Sequence, residues 1–187
     1  MVKKNVCVFI SGYGSNLKSL IKNSRNYNFP VNIKLIVTNN LNAEGILHAK
    51  KNSIPCIIIN TQKRNFEKIL ITELKKYQIS LICLAGYMKI ISQKFINNFG
   101  KKIINIHPSL LPKFKGLNTF KRVLANNEIK TGCTVHFVNK KLDSGKIIVQ
   151  KSFFINKDSN VRNLKNITQK LEYLAFPEAI IKIYRYS

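Results

Sequence analysis

At 187 residues and 45% apolar composition, the chain has room for one substantial core but is short for two domains. No apolar run is long enough to span a bilayer, and the short one after Lys3-Lys4 leads straight into Ser11-Gly12-Tyr13-Gly14. That reads as a first core strand and its loop rather than a signal peptide, so a cytoplasmic, membrane-free protein is expected.

The charge is the loudest feature, with 32 Lys+Arg against 8 Asp+Glu and a net +24. A polyanionic partner would suit it. The basic residues are mostly Lys, however, in runs of no more than two lysines, and nucleic-acid readout leans on Arg. They accompany an excess of Ile and Asn, which a compositional drift toward A/T-rich codons produces without any partner. The positive field would still attract a phosphorylated substrate. Cys7, Cys56, Cys83 and Cys133 have no metal-like spacing and fall in apolar or strand-like runs, so free buried thiols and no metal site are expected.

In chain order, Val6–Ile10 reads as a buried strand and Ser15 to about Ile21 as a helix with Ser15 as its N-cap. Ile33–Val37 is the second strand. Ala43–Lys51 is a helix with Ile46 and Leu47 on its apolar stripe, and Pro55–Ile59 is the third strand. Phe66–Tyr77 is a helix with Phe66, Ile69, Leu70, Ile71, Leu74 and Tyr77 as apolar positions. Leu81–Leu84 is a fourth strand, fully apolar. A short helix near Gln93–Asn98 leads to a fifth strand, Lys102–Ile104. A helix near Thr119–Asn126 precedes two strands, Gly132–Val138 and Ile147–Ile155, joined by the loop Asn139–Lys146 as a hairpin. Val161–Tyr184 reads as an amphipathic final helix with a break near Pro177.

This alternation implies right-handed βαβ units. The expected fold is α/β, a Rossmann-like open and mostly parallel sheet flanked by helices, closed by a C-terminal antiparallel hairpin and a final helix. With no linker or repeat, residues 1–187 are expected to form a single domain. Ligands of such sheets bind beyond the C-terminal strand ends, where the polar clusters Gly12–Asn16, Gly86–Lys89 and Asn105–Pro112 fall.

Asn105 and His107 are two apart, so on an extended chain both side chains face one way. Pro108 disfavours a helical His107. An amide and an imidazole aimed together can hydrogen-bond an oxygen that is gaining charge, and the His can also move protons. Gly12-Tyr13-Gly14-Ser15-Asn16 is a tight turn opening a helix, a place for a single phosphate. Leu17 stands where a dinucleotide fingerprint needs its third Gly. Asp143, one of two aspartates in the chain, falls in the hairpin loop. An ordinary turn residue is one reading; the other is a carboxylate that raises the His107 pKa. His136 is read as a structural sheet histidine, and His48 as solvated. Gln169 and Glu172 form an i, i+3 polar pair, and Lys63-Arg64 a solvated helix start. A cis Leu111–Pro112 bond is expected between the two prolines.

Four stretches occur together and in order: Val8-Phe9-Ile10-Ser11-Gly12-Tyr13-Gly14-Ser15-Asn16-Leu17, Leu84-Ala85-Gly86-Tyr87-Met88-Lys89-Ile90, Asn105-Ile106-His107-Pro108-Ser109-Leu110-Leu111-Pro112, and Thr134-Val135-His136-Phe137-Val138 followed by Leu142-Asp143-Ser144-Gly145. Over essentially its whole length the chain resembles the phosphoribosylglycinamide formyltransferases, folate-dependent enzymes of purine biosynthesis. The resemblance implies Asn105, His107 and Asp143 as the catalytic set. It implies Gly14, Ser15 and Asn16 on the ribonucleotide phosphate, and Glu172 with Gln169 on the glycinamide ribonucleotide. Met88, Lys89, Ile90, Ile91 and Asn105 would line the folate site. Lys63 stands where the family usually has an arginine, a contact that Arg64 could supply by a one-residue shift. Asn118 and Phe120 stand where some members have histidines.

The implied substrates are 5'-phosphoribosylglycinamide and 10-formyltetrahydrofolate, the latter a co-substrate, with no tightly bound cofactor and a monomer or weak homodimer. A formyltetrahydrofolate hydrolase is the sibling alternative. A non-catalytic basic nucleic-acid-binding protein is the alternative from another class, and it gives Asn105, His107 and Asp143 no reason to meet.

Overall fold

Residues 2–185 are described by a computed structural model of the chain. The elements run β1 (Lys4–Ile10), α1 (Ser15–Ser24), β2 (Val31–Thr38), α2 (Gly45–Lys51), β3 (Cys56–Ile58), α3 (Phe66–Lys76), β4 (Leu81–Leu84), α4 (Gln93–Phe99), β5 (Lys102–His107), α5 (Thr119–Ala125), β6 (Lys130–Phe137), β7 (Ile147–Phe154) and α6 (Val161–Arg185). The strand order is β3-β2-β1-β4-β5-β6-β7 in one seven-stranded sheet. Two compact units, Met1–Ile104 and Asn105–Ser187, divide the chain. Among the described residues no helix is long and apolar enough to cross a membrane.

In the first unit β1 pairs in parallel with both β2 and β4, and β2 with β3. A parallel strand paired on both sides and covered on both faces must be apolar at every position. Val6 through Ile10 accordingly are all buried, as are Leu81 through Leu84. Helix α4 is closed at both ends by its own residues. Ser92 Oγ accepts from the Phe95 N–H at 3.0 Å, and Gly100 supplies the left-handed C-cap at φ 63°.

Two helices depart from the expected faces. In α2 the buried positions are Gly45 and Ala49, while Leu47 is exposed and Ile46 half-buried. Gly45 lies so close to the Gly12–Gly14 turn that a Cβ on it would meet the Ile10 side chain at 2.4 Å. Small residues let the backbones approach, and the large ones turn outward. In α3 only Leu70 and Leu74 are buried, and Ile69 faces solvent. The N-cap of α1 is Gly14, left-handed at φ 72°, and Ser15 is the first helical residue. All four cysteines are free; Cys56 is only half-buried because β3 is the sheet's short edge strand.

In the second unit β6 and β7 form the expected antiparallel hairpin, and α6 packs across both. The hairpin register slips between Val135 and His136, a bulge that the alternating sequence does not announce. Helix α6 runs unbroken through Pro177. Its ring is buried with Ala175, Phe176 and Ala179, and that apolar burial offsets the backbone hydrogen bond the proline cannot make.

Candidate active site

Strand β5 runs three residues beyond its apolar stretch, so Asn105 and His107 sit on the strand itself. The hairpin loop brings Asp143 to them. Its carboxylate Oδ2 lies 3.2 Å from His107 Nδ1, and its Oδ1 lies 3.4 Å from Asn105 Nδ2. His107 and Asp143 are both buried. Asp143 adopts the left-handed conformation at φ 45°, which Asp tolerates better than most residues. Oδ2 also accepts from the Gly116 N–H at 2.9 Å.

The segment after the cis Leu111–Pro112 bond curls back through left-handed Phe114, Gly116 and Asn118. This turns the Phe114 carbonyl to His107 Nε2, at 2.9 Å. A carbonyl only accepts, so Nε2 carries a proton. The carboxylate beside Nδ1 also only accepts, so their 3.2 Å contact requires a second proton shared between them. Burial works against that proton. It pulls the His107 pKa below the ordinary 6.5, and the Phe114 carbonyl and the Asp143 charge offset it only in part. The expected effect of Asp143 is present, since its charge raises the His107 pKa, but desolvation of the imidazolium outweighs it and sets the net direction. For Asp143, burial alone would raise the pKa, but the His136 contact, the Gly116 N–H and the His107 charge together hold it below 3.8.

Linkage gives these shifts a sign. Folded His107 binds fewer protons than unfolded His107 between 6.5 and its lowered value. Its contribution to stability is full above 6.5 and is lost as pH falls through the folded pKa. Asp143 adds a second, lower window, lost as pH falls from 3.8 through its own folded value. Urea midpoints across pH are expected to decline in both windows. His107→Gln is expected to flatten the upper one and to narrow the lower one, since the His107 charge helps hold the Asp143 pKa down. An unchanged upper window in that variant would remove His107 as its source.

The loop that carries Pro108 is fastened from below. Thr134 Oγ1 donates to the Ser109 carbonyl at 2.6 Å and accepts from the Leu111 N–H at 3.1 Å. Gln150 Nε2 lies 2.9 Å from both Thr134 Oγ1 and the Leu111 carbonyl. Neither Thr134 nor Gln150 stands out in the sequence as anything but a strand residue. His136, read from the sequence as structural, also lies in the cluster. Its Nε2 is 3.3 Å from Asn105 Nδ2 and 3.6 Å from Asp143 Oδ1.

Of the other expected residues, Gly14, Ser15 and Asn16 form the turn into α1, where the Lys18 N–H already bonds the Gly14 carbonyl at 2.8 Å. A Cβ on Gly14 would meet the Gly45 backbone at 2.7 Å, so glycine is required there on packing grounds alone. Half-buried His48 lines the same turn instead of standing in solvent. Lys89, Ile90 and Ile91 line a cavity of about 210 Å³ with Thr61, Phe66 and Tyr87. Met88, Lys63 and Arg64 are exposed and outside that lining. Gln169 and Glu172 lie on the half-buried part of α6, where the Glu172 charge helps push the Cys133 thiol up to about 12, after burial itself.

The class so defined is an open α/β fold carrying an amide–imidazole–carboxylate centre, a set suited to polarising a carbonyl. The formyl transferase family profile matches residues 4–180, and the chain belongs to that family. It is 37% identical over 183 residues to the phosphoribosylglycinamide formyltransferase of Haemophilus influenzae, covering 95% of this chain and 85% of that one. It is 39% identical over 184 residues to the trifunctional purine biosynthetic protein adenosine-3 of Chironomus tentans. There it spans 95% of its own length but 13% of the relative's. The crystal structure of phosphoribosylglycinamide formyltransferase from Brucella melitensis superposes with a TM-score of 0.92 at 32% identity, covering 100% of this chain and 97% of that one.

Proposed function

We propose that the chain transfers the formyl group of 10-formyltetrahydrofolate to the amine of 5'-phosphoribosylglycinamide, a step of purine biosynthesis. The observation that carries this reading is the contact of Asp143 with both His107 and Asn105, within a chain of this family. The substrate amine attacks the formyl carbon and a tetrahedral oxyanion forms. His107 Nε2 is committed to the Phe114 carbonyl, so the donors for that oxygen are Asn105 Nδ2 and His107 Nδ1. Asp143 touches both nitrogens, takes up the proton that the attacking amine sheds, and returns it to the departing N10 of the folate. Gly14, Ser15 and Asn16 hold the substrate phosphate, and Glu172 with Gln169 its glycinamide end. Lys89, Ile90 and Ile91, with Met88 and Lys63 or Arg64, hold the folate.

The test is an assay of folate release with and without the ribonucleotide. Release is expected to require 5'-phosphoribosylglycinamide. Release in its absence would replace transfer with hydrolysis.

A further inference from the structure

We infer that His136 is a positioning residue, whose ring nitrogen Nε2 fixes the direction in which the Asn105 amide faces. Its part in catalysis rests on the formyl-transfer reading, while the hydrogen bonding of the ring stands without it. His136 is 2% exposed and stands two residues after Thr134 on β6, the strand that neighbours β5 and its Asn105. Its Nδ1 lies 2.9 Å from the carbonyl of Phe137. A carbonyl only accepts, so Nδ1 bears the proton, and in the neutral ring Nε2 is left as an acceptor. The amide nitrogen of Asn105 lies 3.3 Å from it. Asp143 Oδ1, 3.6 Å from Nε2, would by itself favour an imidazolium, but an imidazolium sets its Nε2–H against the Asn105 NH2, which at 3.3 Å is the nearer group.

The groups around this ring make its role separable from that of Asp143. Asp143 Oδ1 also faces the Asn105 NH2, at 3.4 Å, and therefore favours the same amide orientation while it is ionised. A proton-relaying carboxylate loses that preference when it is protonated, which is when the oxyanion needs the amide N–H. An Nδ1–H ring keeps its Nε2 lone pair through that step. One Asn105 N–H stays on Nε2 and the other remains aimed at the formyl oxygen. His107, the remaining titratable neighbour, is tied to Phe114 and Asp143.

The test has two independent parts. In the wild-type chain, nitrogen-15 correlation spectra of the histidine rings at neutral pH are expected to show His136 neutral and protonated on Nδ1. A cationic ring or an Nε2–H tautomer would overturn the inference, whatever the enzyme's activity. In kinetics, His136→Leu removes the acceptor and His136→Gln restores one near the Nε2 position. The leucine variant is expected to lose roughly 10- to 100-fold in kcat with both KM values within about twofold, since the interaction acts in the transition state. The glutamine variant is expected to recover most of that loss. A leucine variant with wild-type kcat, a loss confined to KM, or a glutamine variant no better than leucine would each overturn it. Wild-type enzyme without formyl transfer would instead sink the proposed reaction, leaving the ring spectra to decide on His136.

Discussion

His107→Ala and Asp143→Ala are each expected to lower kcat by at least about 100-fold, the usual cost of losing a donor to an oxyanion. Calorimetric affinity for 5'-phosphoribosylglycinamide is expected to hold, because its phosphate is assigned to the Gly14–Asn16 turn and neither substitution touches that turn. The two losses have different origins. Alanine at 107 removes the Nδ1–H from the oxyanion and frees the Phe114 carbonyl that Nε2 holds at 2.9 Å. Alanine at 143 leaves the imidazole in place but removes the acceptor for the Gly116 N–H and the partner of Nδ1. Residues acting as one unit are not additive, so the double variant is expected to be little worse than the poorer single one. Turnover near wild type in either single variant would remove the catalytic assignment. A loss carried wholly by substrate affinity would turn the cluster into a binding feature.

How far the sequence reaches is clearest where physical causes are local. Strands β1 and β4 were legible because full burial leaves no choice but a continuous apolar run. The pairing of Asn105 with His107 was legible because an extended chain puts i and i+2 on one face. The buried face of α2 was not. Gly45 is small enough to meet the neighbouring turn closely and Ala49 is buried with it, whereas a periodicity built on large side chains points to Leu47 instead. Nor does a proline announce whether its surroundings will offset the missing hydrogen bond, as the burial around Pro177 does. Two features of the site depend on tertiary structure outright. Desolvation set the direction of the His107 pKa, and no sequence neighbour carries that information. The placing of β6 beside β5 brought His136 to Asn105, and which strands become neighbours is not written in the sequence of either.

Gly145→Ala is expected to be the most damaging single-methyl change in the second unit. A Cβ at that position would stand 1.7 Å from the Phe137 carbonyl oxygen and 2.6 Å from its carbon. Both are backbone atoms, so no side-chain rotation relieves the overlap, and the end of the hairpin must move apart. The Phe137 N–H, which bonds the Lys146 carbonyl at 2.9 Å, moves with it. Forced backbone displacement of this kind costs about 3 kcal/mol or more, read as a lower urea midpoint. Gly12→Ala is the control. Its Cβ would meet nothing within 4 Å, so its midpoint is expected to stay near wild type. The functional loss should exceed what a smaller folded fraction explains. Asp143 lies two residues before Gly145, and the Phe137 carbonyl is the acceptor that sets the His136 tautomer. One displaced peptide therefore disturbs the carboxylate and the ring that orients Asn105 together. A shift near 1 Å at reacting groups is worth roughly 100-fold in rate, so kcat of the folded variant is expected to fall by about that factor. A variant with wild-type stability and turnover would mean that the hairpin end yields without cost, and that the site does not depend on its position.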